Sequence, residues 1–349
     1  MRWGWIGWVL LLTACHKASE PAPFISAGSG KDVVPGVELS FPRDHGAHPE
    51  YGLEWWYVTA NLEDERGQHH GLQWTLFRFR GAEGDETLWQ GQGYLGHMMH
   101  ETGDRHRAWQ RQGRAPQVQI TAQPFAAGID HWWLRSVGNA FQPLQLVASE
   151  QDFAVALSLT DSPLVAHGDR GFSDKSGDGS LASYYYSLPR LQVSGHLDDG
   201  TGWRSVKGEA WLDREWSSAL LDDRFVGWDW MGLQLADGHN LMLFCLRPAE
   251  GNALHCDGSL ISANAEVISL VNDVIDWRAT QWVTLDGAQY PVAWELNIPE
   301  REISLTIRTR SQDQRNKLDI LYWEGPVQVS GTHPGQGFVE MTGRSESSR

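Results

Sequence analysis

Hydrophobic and polar residues alternate with a period of two over much of the chain. The alternation is clearest from Leu72 to Phe79, from Phe153 to Leu159 and from Ile303 to Thr309. A period of two is typical of a β-strand that buries one face and exposes the other. Asp-Gly pairs, which favour tight turns, occur at 199–200 and 286–287. Many short strands joined by turns predict an all-β fold, either a sandwich or a barrel.

An internal repeat indicates that the strands form two similar domains. The hairpins that begin at Trp55 and at Trp228 each contain a glycine turn, followed by a strand that ends in arginine. The repeat aligns these two tryptophans, and it aligns Tyr57 with Trp230. Its spacing is close to half the length of the body, which favours a duplicated domain over a chance similarity.

The first fifteen residues have the pattern of a lipoprotein signal peptide. Arg2 precedes an apolar run from Trp3 to Leu12 that is too short to span a bilayer. Small residues precede Cys15, as a lipoprotein signal peptidase requires, and acyl chains on this thiol would anchor the protein stably. A chance cysteine in an ordinary secretory signal is the alternative. His16 stands where an Asp would retain a lipoprotein in the inner membrane, so we expect the outer membrane, facing the periplasm.

Composition divides the rest of the chain. Residues 16–35 are rich in small residues and proline and have no hydrophobic period, so we expect a flexible tether. The repeat predicts an N-terminal domain at residues 36–215 and a C-terminal domain at 216–343, followed by a tail at 344–349. A short stretch at 217–223 could form one or two turns of helix.

Charge, cysteines and the absence of common motifs narrow the function classes. A net charge of −16 argues against binding to nucleic acid and against electrostatic attachment to anionic lipid. Cys245 and Cys256 flank a loop between two strands, so a disulfide and two buried thiols are equally open. HExxH, CxxC, GxSxG and Walker A motifs are absent, which excludes the common zinc-protease, dithiol, α/β-hydrolase and P-loop classes.

The chain contains 19 tryptophans, far above ordinary usage. Tryptophan offers a large apolar face with a single hydrogen-bond donor. In a β-barrel it can line a cavity for a lipophilic small molecule, or it can plug the barrel and pack its rim. We expect both uses here.

A loop near the start of the N-terminal domain holds the strongest local cluster of polar side chains. Proline and glycine keep the first part of this segment in a loop, and a strand begins at its end. At a barrel mouth the segment would place acids and imidazoles against an aromatic wall; alternatively it plugs the barrel and its polar groups bind the backbone. The candidate catalytic residues here are Asp44, His45, His48 and Glu54, beside Trp55, Trp56 and Tyr57.

A second cluster lies in a predicted strand that ends at Trp216. Alternate side chains of a strand share a face, so Trp211 lies beside Asp213 and Glu215. Burial beside an indole would raise the pKa of both carboxyls and make them useful general acids. An ion pair with Arg214, or with another arginine at the domain junction, is the equally open alternative.

Three consecutive tyrosines follow the same alternation. Tyr184 and Tyr186 are predicted on one face of their strand, and Tyr185 on the other. A row of tyrosines more often packs a sheet than carries out catalysis.

The spacing of the histidines raises the question of a zinc site. His45 and His48 are three residues apart, as are His97 and His100, but neither pair is predicted on a helix, so the spacing is not diagnostic. One histidine from each pair, with a carboxylate from the loop, would make a zinc site. We expect no metal and keep zinc as an alternative.

Five motifs occur in order through the body of the chain. They are Phe41–His45 with Glu54–Tyr57, Trp211–Trp216, Gly227–Trp230, Tyr322–Val327 and Gly337–Gly343. Over residues 36–343 they resemble the AttH-like branch of the carotenoid 1,2-hydratase (hydroxyneurosporene synthase, CrtC-type) superfamily. The resemblance implies two tandem lipocalin-like (calycin-type) β-barrels, the first of the hydratase type. Members of this branch are described as predicted secreted hydrolases, and some are companions of ABC transporters of the lipoprotein-export type.

The resemblance also implies a chemistry. The hydratase relatives protonate an isoprenoid double bond and add water without a cofactor. This reaction needs an acid in an apolar pocket, aromatic faces beside the carbocation and a positioned water. The resemblance suggests Asp213 or Asp44 as the acid and His45 or His48 as the holder of the water. The expected cation-facing walls are Trp55, Trp56, Trp211 and Trp228, and the wider ligand-binding set adds Tyr57, Tyr185, Trp216 and Trp230.

Two functions remain as hypotheses. The first is an envelope enzyme that binds a hydrophobic isoprenoid or lipid-like molecule and transforms it by cofactor-free hydration or hydrolysis. The second is a non-catalytic lipocalin-type carrier, or an accessory protein of an ABC lipoprotein or lipid export system. Convergence of the candidate acids and histidines on one tryptophan-walled cavity would favour the enzyme. Their dispersal into ion pairs at the domain interface would favour the carrier.

Overall fold

The computed structural model describes residues 30–81, 91–250 and 254–344. The predicted signal peptide, Cys15 and most of the predicted tether lie outside these residues. Two antiparallel sheets contain nearly all of the described regular structure, as the period-two alternation predicted. Within the described ranges, no helix is long and apolar enough to cross a membrane. The described helical elements are 3₁₀ turns at Arg43–His45, Asn272–Val274 and Pro299–Arg301.

The first sheet curls into a nearly closed N-terminal barrel. Its strands are β1 (Leu53–Asp64), β2 (His69–Arg80), β3 (Gln92–Thr102), β4 (Arg105–Gly113), β5 (Val118–Ala122), β6 (Phe125–Ile129), β7 (Trp132–Ser136), β8 (Leu144–Glu150), β9 (Phe153–Thr160), β10 (Val165–Ala166), β11 (Phe172–Asp174), β12 (Ala182–Asp198) and β13 (Trp203–Ser217). They pair in the order β4-β3-β2-β1-β13-β12-β9-β8-β7-β6-β5, and β10 and β11 also pair with β12. Buried Leu, Val and Trp side chains fill the interior, so the barrel is a packed core.

The second sheet forms the C-terminal barrel in the same way. Its strands are β14 (Phe225–Leu235), β15 (Asn240–Pro248), β16 (His255–Ile261), β17 (Val267–Leu270), β18 (Asp276–Leu285), β19 (Ala288–Ile298), β20 (Ile303–Thr309), β21 (Arg315–Lys317), β22 (Leu321–Gly331) and β23 (Gly335–Met341). They pair in the order β17-β16-β15-β14-β23-β22-β20-β19-β18, and β21 pairs with β22. The two sheets match the lipocalin-like architecture that the family resemblance implied.

The outer faces of the two barrels pack against each other. Strands β1, β12 and β13 are therefore buried on both faces, one inside their barrel and one at the interface. A Cβ on Gly71 would lie 2.7 Å from the ring of Pro326, so a residue without a side chain is needed where the two sheets meet. A separate hydrophobic cluster fills the interface, and it includes Tyr57, Tyr185 and Trp211.

The link between the two sheets contains no helix. Ser217 is the last residue of β13, and its hydroxyl donates a 2.7 Å hydrogen bond to the carbonyl of Ala182. Residues 218–224 then run irregularly to β14 and bury Leu220 at the interface. The prediction of one or two helical turns at 217–223 is wrong, because Ser217 continues β13 and residues 218–224 form bends and a turn.

Candidate functional site

A cavity lies between the two barrels, where the outer faces of β1 and β13 meet those of β14 and β23. It holds about 930 Å³ of space, including its open mouth. Apolar and aromatic side chains form most of its wall: Leu53, Trp55, Tyr57, Phe77, Phe79, Leu220, Trp228, Trp230, Phe244, Ile320 and Tyr322. Its polar lining residues are His97, Asp213, Glu215, Glu340 and Thr342. A concave, mostly apolar site with a few polar groups is the usual form of a small-molecule site.

The internal repeat explains much of this aromatic wall. Trp55 and Tyr57 on β1 correspond to Trp228 and Trp230 on β14, and all four line the cavity. The rings of Tyr57 and Trp230 meet nearly at right angles, with centroids 5.3 Å apart. The first strands of the two barrels therefore contribute equivalent aromatic residues to one shared site.

Asp213 is the central polar group on the N-terminal side of the cavity and is only 3% exposed. Tyr185 donates a 2.8 Å hydrogen bond to its Oδ2, Trp211 donates a 2.5 Å bond to its Oδ1, and the Ser187 hydroxyl also donates to Oδ1. Burial raises the pKa of Asp213 to about 7, although these three hydrogen bonds favour the charged form. A carboxyl group that exchanges its proton near neutral pH is suited to general acid–base catalysis.

Glu215, two residues farther along the same face of β13, is paired with a cation. Lys175 Nζ lies 3.2 Å from its Oε1, and the Ser183 hydroxyl donates to the same oxygen. Lys175 is itself buried and lies over the rings of Tyr185 and Phe244. The ion-pair alternative therefore describes Glu215, but its partner is a lysine of the same domain rather than Arg214.

Two further carboxyl residues lie on the C-terminal side of the cavity. They were not among the candidate residues predicted from the sequence. Glu324 on β22 lies directly opposite Glu340 on β23. Tyr57 donates a 2.9 Å hydrogen bond to Glu324, and Trp228 donates a 2.6 Å bond to Glu340. Burial raises the pKa of Glu340 to about 7, and burial together with the neighbouring Glu340 raises the pKa of Glu324 well above its usual range.

His97 and Tyr322 form a polar contact across the interface at the cavity wall. His97 Nδ1 lies 3.1 Å from the Tyr322 hydroxyl, and its Nε2 lies 3.1 Å from Oε1 of Gln110. Burial lowers the pKa of His97 to about 4, so the imidazole is neutral at neutral pH. The imidazole therefore adds no charge to the cavity wall.

The loop candidates form a different cluster, inside the N-terminal barrel. Glu54 lies between two arginines: Arg214 Nη2 is 2.6 Å from its Oε2, and Arg78 contacts its Oε1. The His48 ring bridges the two acids, with Nδ1 3.1 Å from Glu54 and Nε2 3.2 Å from Asp44. Burial opposes ionisation of Glu54, but Arg214, His48 and Arg78 outweigh it and hold the pKa of Glu54 well below its usual range.

Asp44 and His45 belong to the same buried cluster inside the N-terminal barrel. Burial opposes ionisation of Asp44, but hydrogen bonds from His48, Arg43 and the Ser40 backbone outweigh it and lower its pKa. The His45 ring stacks on Phe141 with centroids 3.6 Å apart. Burial, with a smaller contribution from a nearby arginine, lowers the pKa of His45 to about 4. These contacts agree with the interpretation of the loop as a plug of the barrel.

The structure therefore separates the candidate residues into two groups. Trp55, Tyr57, Asp213, Glu215, Trp228 and Trp230 line the cavity between the barrels, and Tyr185 and Trp211 lie behind Asp213. Asp44, His45, His48, Glu54, Trp56 and Trp216 lie on the other side of β1 and β13, in the N-terminal barrel. Strand alternation is the cause, because neighbouring residues such as Glu54 and Trp55 point to opposite faces of the sheet. The acids and histidines do not converge on one cavity.

The histidines of the zinc alternative are separated in the same way. His45 lies in the plug and His97 at the cavity, whereas His100 contacts His70 at 3.0 Å. In the part of the chain that the structure describes, no group of three or more His, Cys, Asp or Glu side chains is placed to hold a metal ion.

Cys245 and Cys256 are bonded to each other. They face one another across β15 and β16, with Cα atoms 4.1 Å apart, and form a disulfide. Both residues belong to the core of the C-terminal barrel. Of the two alternatives that the sequence left open, the structure contains the disulfide.

Several solved structures have the same architecture. An AttH protein from Nitrosomonas europaea has a TM-score of 0.82 and 31% identity, covering 90% of this chain and 99% of that one. Kievitone hydratase from Nectria haematococca has a TM-score of 0.69 at 12% identity, covering 91% of this chain and 97% of its own. CghA with Sch210972 has a TM-score of 0.58 at 12% identity, covering 93% and 97%. The two more distant structures show a shared fold.

At the level of sequence, no curated protein gives a significant match. The chain matches the AttH-like family over residues 32–344, a range that spans both barrels and the cavity between them. This match agrees with the resemblance carried by the five sequence motifs, two of which contain Asp213 and Glu340. The chain therefore belongs to the AttH-like family.

Proposed function

We propose that this protein transforms a hydrophobic, uncharged molecule in the cavity between its barrels by cofactor-free acid–base chemistry. The reaction that fits best is addition of water to a carbon–carbon double bond. The observation that carries the proposal is the placement of Asp213, a buried carboxyl that titrates near neutral pH and opens onto an aromatic cavity.

The surroundings of Asp213 meet the requirements of a hydration. Protonation of an alkene needs a carboxylic acid in an apolar site, and the carbocation that follows needs aromatic faces nearby. Trp55, Trp228 and Trp230 supply such faces along the same wall. The fold similarity to kievitone hydratase, whose name describes a hydration, supports this choice of reaction.

The charge distribution supports an uncharged substrate. The described cavity lining contains three carboxyl residues and no arginine or lysine. Lys175, which lies behind the wall, is already paired with Glu215. A carboxylate or phosphate group would therefore lose its hydration without gaining a cationic partner, and burial of an unpaired charge is costly.

A non-catalytic carrier is the second candidate, and the mostly apolar wall of the cavity favours it. Such a carrier would hold a lipophilic molecule and pass it to an ABC export system. The loop acids and histidines do not converge on the cavity, which removes one argument for the enzyme. Asp213 nevertheless lines the cavity with no ion-pair partner among the described residues, and a carrier has no need for such a titrating carboxyl, so we prefer the enzyme.

We further propose that the protein acts at the cell envelope, anchored through acylated Cys15 to the periplasmic face of the outer membrane. A cavity that binds hydrophobic molecules is consistent with a protein that acts close to a membrane, where such molecules are concentrated. A Cys15→Ser variant should leave the membrane fraction and lose metabolically incorporated acyl label. Unchanged labelling would contradict the anchor.

The experiment that tests the enzyme is a hydration assay in ¹⁸O-labelled water. Kievitone and a panel of neutral prenylated phenols serve as probes, and mass spectrometry reads incorporation of labelled oxygen into the product. We expect wild type and the surface variant Glu295→Gln to give labelled product, and Asp213→Asn to give almost none. Probe binding without any labelled product would favour the carrier.

A further inference from the structure

Two carboxyl groups lie side by side at the C-terminal wall of the cavity. Glu324 and Glu340 occupy directly opposed positions of antiparallel strands, so their side chains project from the same face and meet. Their described hydrogen-bond donors are neutral: the Tyr57 hydroxyl for Glu324 and the Trp228 indole for Glu340. In the described ranges, neither carboxyl has an ion-pair partner.

Such a pair holds a proton. Two carboxylates in contact repel each other strongly, so one of them stays protonated and donates to the other. The Oε2 atom of Glu324 is buried and has no other hydrogen-bond partner, as expected if it shares a proton with Glu340. Glu340 is half-buried and lines the cavity, whereas Glu324 is fully buried behind it. Glu340 is thus the member of the pair that a ligand can reach.

We propose that the Glu324–Glu340 pair is the proton donor of this site and that Glu340 transfers the proton to the substrate. This inference rests on the proposed hydration and makes Asp213 the group that accepts a proton from water rather than the proton donor. It assigns a catalytic residue to the C-terminal barrel, so the reaction takes place between Glu340 on one barrel and Asp213 on the other. Tyr57 and Glu324 position Glu340: Glu324 contacts it, and the Tyr57 hydroxyl donates a hydrogen bond to Glu324.

The proposed reaction adds one water molecule across the double bond. The step starts with both carboxyl groups of the pair protonated. The π electrons of the alkene take the proton of Glu340 and form a C–H bond, and the Glu340 carboxylate that remains accepts hydrogen bonds from Trp228 and from Glu324, which keeps its own proton. The adjacent carbon becomes cationic beside the aromatic wall, and a water oxygen forms the C–O bond. The Asp213 carboxylate accepts the surplus proton of that water. After product release this proton returns through solvent in the cavity to the Glu324–Glu340 pair, and one water has been added.

The first part of the test measures the protonation state of the carboxyl pair in the absence of substrate. Infrared difference spectra of the whole protein, recorded as pH is raised through neutrality, should show loss of a protonated-carboxyl band. Asp213 titrates in the same range and contributes to this band, so the variants are compared in an Asp213→Asn background. There Glu340→Gln should remove the remaining band, Glu324→Gln should shift its midpoint, and Glu295→Gln, on the outer surface and paired with Arg278, should leave it unchanged. Absence of the band from wild type overturns the proposal.

The second part reads catalysis with kievitone in ¹⁸O-labelled water. Loss of a general acid typically lowers turnover by about 10²–10⁴-fold, and we expect a loss in this range for Glu340→Gln. A wild-type rate in Glu340→Gln overturns the proposal and leaves the Asp213 site standing. If wild type hydrates no probe, the proposed hydration fails, and the infrared titration still decides whether the pair holds a proton. Circular dichroism of each variant checks that it folds.

Discussion

The hydroxyl group of Tyr57, in the first strand of the N-terminal barrel, donates a 2.9 Å hydrogen bond to Glu324 in the C-terminal barrel. Both residues are buried, so the bond is protected from water. It connects the two halves of the molecule at the wall of the cavity, next to the carboxyl pair. The chemistry of the cavity therefore depends on contact between the barrels.

Tyr57→Phe removes this donor. The hydroxyl favours the charged form of Glu324, so its loss should raise the pH at which the carboxyl pair releases its proton. The infrared titration midpoint reports this shift. The free energy of unfolding should fall by about 1 kcal/mol. Tyr290→Phe, which removes a hydroxyl bonded to the Arg344 carbonyl, should lower stability without moving the midpoint. An unmoved midpoint in Tyr57→Phe would contradict the coupling.

Asp213→Asn should change how stability depends on pH. Burial raises the pKa of Asp213 in the folded protein from 3.8 to about 7, so the folded state binds this proton more tightly than the unfolded state. Its contribution to stability is complete below pH 3.8 and is lost as pH rises to about 7, a change on the order of 4 kcal/mol. Urea unfolding over this range should show a flatter profile for the variant. Parallel profiles would show that Asp213 has an ordinary pKa.

Glu54→Gln should destabilise the protein without altering the cavity. The pKa of Glu54 is lowered, so its ionised form contributes stability above pH 4.5 that is lost as pH falls. At neutral pH the variant leaves Arg78 and Arg214 without their buried partner, which typically costs about 3–5 kcal/mol. Glu150→Gln breaks a half-buried pair with Arg111 and should cost less than about 1 kcal/mol. Urea unfolding measures both changes.

The affinity for N-phenylnaphthylamine, a neutral fluorescent probe, shows whether the cavity is intact in these two variants. We expect unchanged affinity in Glu54→Gln, because the plug lies on the other side of β1 from the cavity. A large loss of probe binding in a folded Glu54→Gln protein would return the loop acids to the functional site.

Ligand charge should decide affinity. Farnesol and farnesoic acid have similar apolar chains, but only the acid is anionic at neutral pH. We expect the acid to bind at least about tenfold more weakly, because the described lining offers no cation to pair with it. Displacement of N-phenylnaphthylamine measures both affinities. At a pH low enough to protonate farnesoic acid the two affinities should converge, and equal affinities at neutral pH would contradict this account.

Strand alternation explains what the sequence could predict about the site. It placed Trp211, Asp213 and Glu215 on one face of β13, and it separated Tyr185 from its two neighbours. The repeat likewise pairs Trp55 with Trp228, and both line the same cavity. These predictions held because they depend only on the local geometry of an extended chain.

Strand alternation cannot predict contacts between segments that are distant in the sequence. The loop acids were grouped with Asp213, but Arg78 and Arg214 hold Glu54 inside the barrel instead. Glu324 and Glu340 were missed because their contact depends on the register between β22 and β23. A usable signal was present, since each is an acid flanked by apolar residues in a motif that the family resemblance already contained.

A crystal structure of the full chain with bound kievitone tests the central claim most directly. The account predicts electron density for the ligand between the two barrels, in contact with Asp213, Glu340 and the Trp228 ring. Density inside either barrel, or only on the outer surface, would contradict it.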